Sequence, residues 1–245
     1  GCAVTIKPIL ILGLITRLTS TPFVGAISGL GPAFKSNSWY AKIRLNLIIQ
    51  IFKLIFNNRK AKIICQSKND RDVLVEYNVT TSDKVSIIPG SGVNVDVFSP
   101  SKKKTEDGKY VLMSSRILFD KGVREYCLAA KLVNKRFGDS VKFKLSGPID
   151  SHSPTYISES ELTKLTADCG VEYLGNRKDM PELLSSALIF VLPSYYAEGV
   201  PKVILEASAS GIAIITTDHP GCRDAIIPGE TGLLVSTRDV SSLVD

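Results

Sequence analysis

Hydrophobic and polar positions in the second half of the chain alternate between short apolar runs and longer amphipathic stretches. The apolar runs predict strands at residues 110–114, 141–145, 171–174, 189–192, 213–216 and near 232–235. The stretches between them predict helices at about 121–137, 158–168, 180–186 and 201–210. Strands that alternate with helices indicate a doubly wound α/β domain built on a parallel sheet.

The first part of the chain shows a similar alternation. An apolar stretch at 9–15 is followed by an apolar segment at 23–28, a helical stretch from about 38 to 58 and an apolar strand at 61–66. Ser38 is a suitable N-cap for the long helix. These signals also predict a parallel α/β sheet.

Apolar residues disappear between the two patterns, where Pro, Gly and charged residues take over at 99–108. We therefore predict an N-terminal domain at 1–99, a linker at 100–108 and a C-terminal domain at 109–245. A chain of 245 residues with 44% hydrophobic residues can fill a core in each of two domains.

Charge is distributed unevenly along the chain. Residues 1–69 contain ten of the 30 Lys and Arg and none of the 24 Asp and Glu, so the whole basic excess lies there. A solvated basic face, an anionic membrane surface or a phosphate-bearing substrate would each explain it. The predicted helix at 38–60 has a wide apolar stripe flanked by Lys42, Arg44 and Lys53, which suits either burial of one face or binding on an anionic bilayer.

Composition excludes several classes of protein. The five cysteines are scattered and odd in number, which argues against a disulfide framework or zinc site and favours the cytoplasm. The stretch at 9–15 is too short to span a bilayer, and no signal peptide precedes it. Since the chain lacks an initiating Met, we expect it to begin inside a longer protein. Few aromatic residues lie among the basic ones, which argues against nucleic-acid binding.

Two carboxylates flank a predicted helix start at 198–206. Pro201 favours the first turn of a helix, so Glu198, Gly199 and Val200 form the loop that leads into it, and Glu206 follows within the helix. The loop would lie at the carboxyl end of a parallel strand, where open α/β sheets bind ligands and where backbone N–H groups can donate to sugar or phosphate oxygens. Acidic residues near a helix start are also common for electrostatic reasons alone.

Two cations follow the first strand of the C-terminal domain. Arg116 and Lys121 would converge on the same crevice, and two cations suit a departing nucleoside diphosphate. A capped loop with solvated charges is the alternative explanation.

These segments resemble retaining GT-B glycosyltransferases of family 4. Glu198 and Glu206 reproduce the family's Glu-x7-Glu motif, and Arg116 with Lys121-Gly122 reproduces its Arg-x4-Lys-Gly motif. The resemblance implies two facing Rossmann-like domains, the N-terminal one incomplete. It also implies that the first Glu contacts the donor sugar, the second binds the ribose, and the Arg and Lys stabilise the pyrophosphate without a metal or other cofactor.

Further segments resemble the family in consistent order from about residue 5 to 240. The residues at 92–98 resemble the family's segment at the end of the first domain. Gly147 in 146–150 and Asn176 in 173–176 lie in segments that resemble the turns after two later strands, the second of them near the family's nucleobase pocket. The segment at 28–34 resembles a Gly-Leu-Gly loop of members that build bacterial surface polysaccharides. Many members place a catalytic histidine where this chain has Ser28, and neither His152 nor His219 matches that position. The family's first strand and glycine-rich loop are missing ahead of residues 6–8, and the sequence stops at Asp245 before the family's final helices. We therefore expect the chain to be truncated at both ends.

The resemblance implies a retaining transferase that moves a hexose or N-acetylhexosamine from a nucleotide sugar, with UDP as the expected nucleotide. The expected acceptor is a lipid-linked or polysaccharide glycan, with a cytoplasmic location that can include the inner face of the cell membrane. A nucleotide-sugar binding module without turnover is the alternative. A nicotinamide-dependent oxidoreductase is disfavoured because no third glycine follows Gly29-x-Gly31.

Overall fold

The computed structural model describes residues 1–30, 39–100, 110–138, 140–197 and 199–245. Its contacts divide the chain into a first unit, Gly1–Ser91 with Ala197–Val200, and a second unit, Gly92–Tyr196 with Pro201–Asp245. The grouping changes at Gly92, ahead of the predicted linker, because Phe98 packs against the core of the second unit. Apart from Pro100, the predicted linker lies outside the described residues.

The first unit contains a four-stranded sheet in the order β1-β2-β3-β4, in which every pair is parallel. Its strands are β1 Cys2–Val4, β2 Phe23–Ile27, β3 Ala61–Cys65 and β4 Val85–Ile87. Its helices are α1 Ile6–Leu18, α2 Trp39–Phe56 and α3 Lys68–Glu76, with a 3-10 turn at Ser82–Lys84. The apolar stretch at 9–15 is therefore part of a helix.

Helix α3 anchors the loop that follows β2. Ser67 caps the helix, since its hydroxyl oxygen accepts from the Asp70 amide at 3.0 Å. The buried Asp70 carboxylate accepts from the Ser67 hydroxyl at 2.8 Å and from the Leu30 amide at 3.3 Å. One buried carboxylate thus joins the start of α3 to Leu30, three residues after the end of β2.

Helix α2 has apolar residues on two sides. Phe52 and Ile55 are buried in the core of the first unit, whereas Ile43, Leu47 and Leu54 are at least half exposed. The apolar stripe predicted from the sequence is therefore wider than the surface that the sheet covers. In the part of the chain that the structure describes, no helix has both the length and the hydropathy needed to cross a bilayer.

The second unit contains a six-stranded parallel sheet in the order β10-β9-β8-β5-β6-β7. Its strands are β5 Tyr110–Ser114, β6 Lys142–Ser146, β7 Val171–Tyr173, β8 Ile189–Leu192, β9 Ala213–Thr217 and β10 Gly232–Val235. Its helices are α4 Val123–Phe137, α5 Glu159–Cys169, α6 Met180–Ser186, α7 Lys202–Ala209, α8 Pro220–Arg223 and α9 Val240–Val244. These elements confirm the predicted α/β class with parallel strands.

The chain winds through the second sheet in two directions from β5. It runs outward from β5 through β6 to β7, then returns to pair β8 with the other side of β5 before it continues to β9 and β10. The connections after β5 and β8 therefore leave toward neighbouring strands on opposite sides, so the winding direction changes between β5 and β8. Open α/β sheets bind their ligands at such a crossover.

Candidate functional site

Buried polar side chains hold the loops at the carboxyl edge of the second sheet. The Ser146 hydroxyl at the end of β6 donates to the Gly175 carbonyl at 3.1 Å. The Ser194 hydroxyl after β8 donates to the Asp120 carbonyl at 3.4 Å, and the Thr217 hydroxyl donates to the Ser194 carbonyl. Because buried polar groups are costly without partners, these bonds give the loops defined positions.

The backbone places Arg116 beside an acidic side chain. The pairing between β5 and β6 continues past both strands, where the Ile117 amide donates to the Pro148 carbonyl at 2.9 Å and Ile117 forms a bridge with Ile149. This extension brings Arg116 alongside Asp150, and Arg116 Nη1 lies 2.8 Å from Asp150 Oδ2. The Arg116 guanidinium is therefore oriented by the sheet itself.

The pKa of Arg116 is raised above its ordinary value. Partial burial is the largest influence and acts to lower the pKa, but hydrogen bonds with Tyr196 and Asp150 together outweigh it. Arg116 is thus positively charged at neutral pH.

The loop that carries Lys121 packs closely against the end of β8. Lys121 ends a 3-10 turn at Phe119–Lys121, and Gly122 follows with φ +81°. A Cβ added to Gly122 would lie 2.2 Å from the Pro193 carbonyl oxygen, so this approach requires glycine. The Tyr195 amide also donates to the Asp120 carbonyl at 2.9 Å.

This packing brings two cations onto one aromatic ring. Lys121 Nζ lies 4.8 Å from the centroid of the Tyr196 ring, and Arg116 Cζ lies 5.2 Å from it. Lys121 is only 6% exposed. The predicted convergence of Arg116 and Lys121 is therefore present within the second unit, at the crossover between β5 and β8.

Gly147 joins the loops that follow β5, β6 and β7. Its φ of +145° and a distance of only 1.7 Å from an added Cβ to the Ser115 carbonyl oxygen leave room for glycine alone. The Gly147 amide donates to the Gly175 carbonyl at 2.9 Å, and its carbonyl accepts from the Tyr173 hydroxyl at 2.7 Å. Asn176 follows this turn and is exposed.

The predicted helix start after β8 lies close to its expected position. Pro201 is the N-cap of α7 with φ −65°, so the helix begins one residue later, at Lys202. The Glu206 side chain is 14% exposed and its Oε1 lies 3.4 Å from Lys202 Nζ. Glu198 lies outside the described residues.

Two of the predicted donor-site residues group with the first unit. The Gly199 amide donates to the Ser28 carbonyl at 3.1 Å, and Val200 is buried. The other described residues of the predicted site, Arg116, Lys121, Gly147, Asn176, Pro201 and Glu206, belong to the second unit. Among the described residues, no group of three or more His, Cys, Asp or Glu lies together as metal ligands.

Sequence reasoning assigned no role to Tyr196 or Asp150, although Asp150 lies in the segment 146–150 and Tyr196 lies two residues before Glu198. Arg116 and Asp150 are 34 positions apart, and Tyr196 is farther still along the chain from the cations that it contacts. Their position in the sequence could have indicated them, because all of these residues lie in the segments that follow strands of one parallel sheet.

A doubly wound parallel sheet with two cations at its crossover is typical of proteins that bind nucleotides and other phosphate-bearing ligands. Residues 94–245 match the family described as "Glycosyl transferases group 1". The chain belongs to this family.

Two relatives of known name are bacterial sugar transferases. The chain is 32% identical over 232 residues to the N,N'-diacetylbacillosaminyl-diphospho-undecaprenol alpha-1,3-N-acetylgalactosaminyltransferase of Campylobacter jejuni, which covers 89% of this chain and 58% of the relative. It is 26% identical over 250 residues to the UDP-Gal:alpha-D-GlcNAc-diphosphoundecaprenol alpha-1,3-galactosyltransferase of Escherichia coli, covering 96% and 62%. The chain thus spans about three fifths of each relative's length.

A solved structure shares the fold along nearly the whole chain. Anabaena Alr3699/HepE in complex with UDP-glucose superposes with a TM-score of 0.78 at 18% identity, covering 99% of this chain and 66% of the other. The fold is therefore that of the GT-B glycosyltransferases, as the sequence predicts.

Proposed function

We propose that this chain is part of a glycosyltransferase that moves a hexose or N-acetylhexosamine from a UDP-sugar to a lipid-linked or polysaccharide acceptor in bacterial glycan synthesis. The observation that carries the proposal is the pair of cations, Arg116 and Lys121, which meet on the Tyr196 ring at the sheet crossover. Because the chain belongs to the glycosyl transferase family, the ligand proposed for this pair is the diphosphate of a sugar donor.

The cations would act on the leaving group. In the transfer, the bond between the anomeric carbon of the donor and the β-phosphate oxygen breaks, and its electron pair stays on the diphosphate. The acceptor hydroxyl oxygen forms the new bond to the anomeric carbon, and its proton passes to an oxygen of the departing diphosphate. Arg116 and Lys121 would stabilise the negative charge that develops on the diphosphate, which lowers the barrier without a metal ion.

Glu206 would bind the donor's ribose. Its side chain is 14% exposed and bonded on one side to the exposed Lys202, which leaves its carboxylate able to accept from a sugar hydroxyl. Glu198 would contact the donor sugar, with the backbone at Gly199 and Val200 beside it. Gly147 and Asn176 would border the nucleotide, where glycine permits a close approach to the backbone.

The donor and acceptor classes are supported by the names of relatives and neighbours. The C. jejuni and E. coli relatives both carry diphospho-undecaprenol in the names of their acceptors, and the E. coli enzyme is named for UDP-Gal. The Anabaena structure contains UDP-glucose. We infer that this chain takes a UDP-sugar and an acceptor of the same anionic, lipid-linked kind.

The first unit supplies a surface suited to such an acceptor. Helices α1 and α2 contact each other and expose apolar side chains that include Ile15, Leu18 and Leu47, at 50%, 86% and 60%. The same helices carry Lys and Arg residues, and no acidic residue precedes Asp70 in the sequence. Anionic lipid attracts such a surface, so we infer peripheral binding at the cytoplasmic face of the membrane.

Transfer can be measured with a panel of UDP-hexoses and UDP-N-acetylhexosamines and a synthetic polyprenyl-diphosphate-linked saccharide. The expected result is one added sugar by mass spectrometry, with the donor's anomeric configuration kept in the product by NMR and no loss of rate in EDTA. An inverted product would contradict the retaining assignment. UDP-sugar binding without transfer to any acceptor would instead indicate a binding module.

A further inference from the structure

The Tyr196 ring contacts both cations of the donor site. Lys121 Nζ and Arg116 Cζ lie 4.8 Å and 5.2 Å from the ring centroid, within the distance of about 6 Å at which a cation is attracted to an aromatic face. The sequence motifs of the family do not account for this ring, which lies two residues before Glu198.

The backbone fixes the position of the ring. The Tyr195 amide donates to the Asp120 carbonyl at 2.9 Å, and the Tyr196 amide donates to the Ser194 hydroxyl oxygen at 3.2 Å. Ser194 is fully buried and also donates to the Asp120 carbonyl. The segment that carries Tyr196 is thus bonded to the residue that precedes Lys121, so ring and ammonium stay together.

A neutral ring suits this position better than a carboxylate. Arg116 and Lys121 repel each other, and burial of the Lys121 ammonium to 6% exposure is unfavourable without compensation. The negative face of an aromatic ring stabilises both cations. A carboxylate in its place would add a second negative charge beside Asp150, which already pairs with Arg116, and would repel an incoming diphosphate.

We propose that Tyr196 is a positioning residue for the donor diphosphate, and that its ring holds Arg116 and Lys121 side by side before the donor binds. This proposal rests on the proposed function. Arg116 and Lys121 would bind the diphosphate, and the uncharged Tyr196 ring would keep the two cations in the arrangement that binds it. Preorganised charges stabilise a developing anion more effectively than charges that must first move into place.

Two variants separate the ring from its hydroxyl. Tyr196→Phe keeps the aromatic face and loses the hydrogen bond with Arg116, so we expect UDP affinity within about threefold of the unaltered chain. Tyr196→Leu removes the face, and we expect UDP affinity to fall about tenfold or more, as the loss of two cation–π contacts implies. Calorimetric titration with UDP measures both.

Uridine distinguishes positioning from a general structural effect. Uridine lacks the diphosphate, so we expect the unaltered chain and Tyr196→Leu to bind uridine with the same affinity. A disturbed fold would instead lower the affinity for both UDP and uridine. Tyr195→Leu is the matched control, because the Tyr195 ring contacts Arg238 at 4.4 Å rather than the two donor-site cations. It should keep UDP affinity within about twofold.

The outcomes separate the two proposals. Equal loss of UDP and uridine affinity in Tyr196→Leu, or unchanged UDP affinity, would overturn the role of Tyr196 and leave the proposed function intact. A folded, unaltered chain that binds neither UDP nor another nucleoside diphosphate would overturn both.

Discussion

The two units share parallel α/β architecture but differ in what they present to solvent. In the second unit, charged side chains converge at the sheet crossover, where Arg116 and Lys121 lie at the Tyr196 ring and Asp150 pairs with Arg116. In the first unit, cations lie around helices α1 and α2, which expose apolar side chains such as Leu18 and Leu47. The difference shows that one fold class can gather two cations at a sheet crossover in one unit and expose an amphipathic surface in the other.

The largest effect should come from the cations of the second unit. We expect Lys121→Ala and Arg116→Ala each to reduce turnover of the UDP-sugar about 10²- to 10³-fold, as loss of one group that stabilises a developing anion does. Initial rates of sugar transfer test this. Lys164→Ala removes an exposed cation from α5 and is the control; an equal loss there would mean that net charge, rather than the pair, matters.

Truncation of a leucine should cost more stability in the core of the second unit than on the exposed face of α2 in the first unit. Leu112 of β5 is fully buried, and Leu112→Ala should lower the free energy of unfolding by about 3 kcal/mol. Leu47 of α2 is 60% exposed, so Leu47→Ala should change it by less than about 0.5 kcal/mol. Denaturant unfolding followed by circular dichroism measures both. A large effect at Leu47 would show that a covering partner, rather than solvent or lipid, meets this side chain.

Charge reversal tests the proposal that the first unit binds a membrane surface. We expect Lys42→Glu, Arg44→Glu and Lys53→Glu together to abolish sedimentation with vesicles of phosphatidylcholine and phosphatidylglycerol, since each basic residue near an anionic surface contributes about 1 kcal/mol. The matched triple variant of the second unit, Lys131→Glu, Lys142→Glu and Lys164→Glu, should still sediment. Equal losses in both triple variants, or none in either, would refute a specific surface on α2.

The reactivity of the buried thiols Cys65 and Cys127 compares how well the cores of the two units exclude a reagent. Burial, helped by the nearby Asp70, raises the pKa of Cys65 from 9.0 to about 12, and burial, helped by Cys169, does the same for Cys127. Both thiols should resist a thiol-specific reagent at pH 8 until the protein unfolds, while the exposed Cys2 reacts at once. Faster reaction of Cys65 than of Cys127 would indicate a looser first unit.

The same shifts predict the response to alkaline pH. An unfolded thiol ionises near pH 9, whereas these folded thiols remain protonated up to about pH 12. The unfolded state therefore binds fewer protons in this range, and the free energy of unfolding should fall as the pH rises above 9. Cys127→Ala should lessen the slope of that fall in urea titrations.

The sequence predicted the second unit more closely than the first for a physical reason. Central strands such as β5 and β8 are covered on both faces, so their apolar runs stand out from the polar segments around them. The apolar stretch at 9–15 could not be assigned in the same way, because a short apolar run suits a helix or a strand equally. Strands β1 and β4, three residues each, are too short to show any periodicity.

The candidate site was only partly visible in the sequence. Arg116 and Lys121 could be found because they lie close together in the chain and follow one strand. Their partners Asp150 and Tyr196 come from the ends of other strands, and strand order joins them to the cations. The spacing of residues along the sequence does not give the order of strands in the sheet, so these contacts could be found only from the structure.

The most direct test of the donor site is calorimetric titration of the chain with UDP, alongside Arg116→Ala, Glu206→Ala and the control Lys164→Ala. The account predicts that UDP binds to the unaltered chain and to Lys164→Ala, and that binding is lost in both site variants while their thermal unfolding is unchanged. UDP binding that persists in Arg116→Ala and Glu206→Ala, or a folded chain with no affinity for UDP, would contradict a donor site in the second unit.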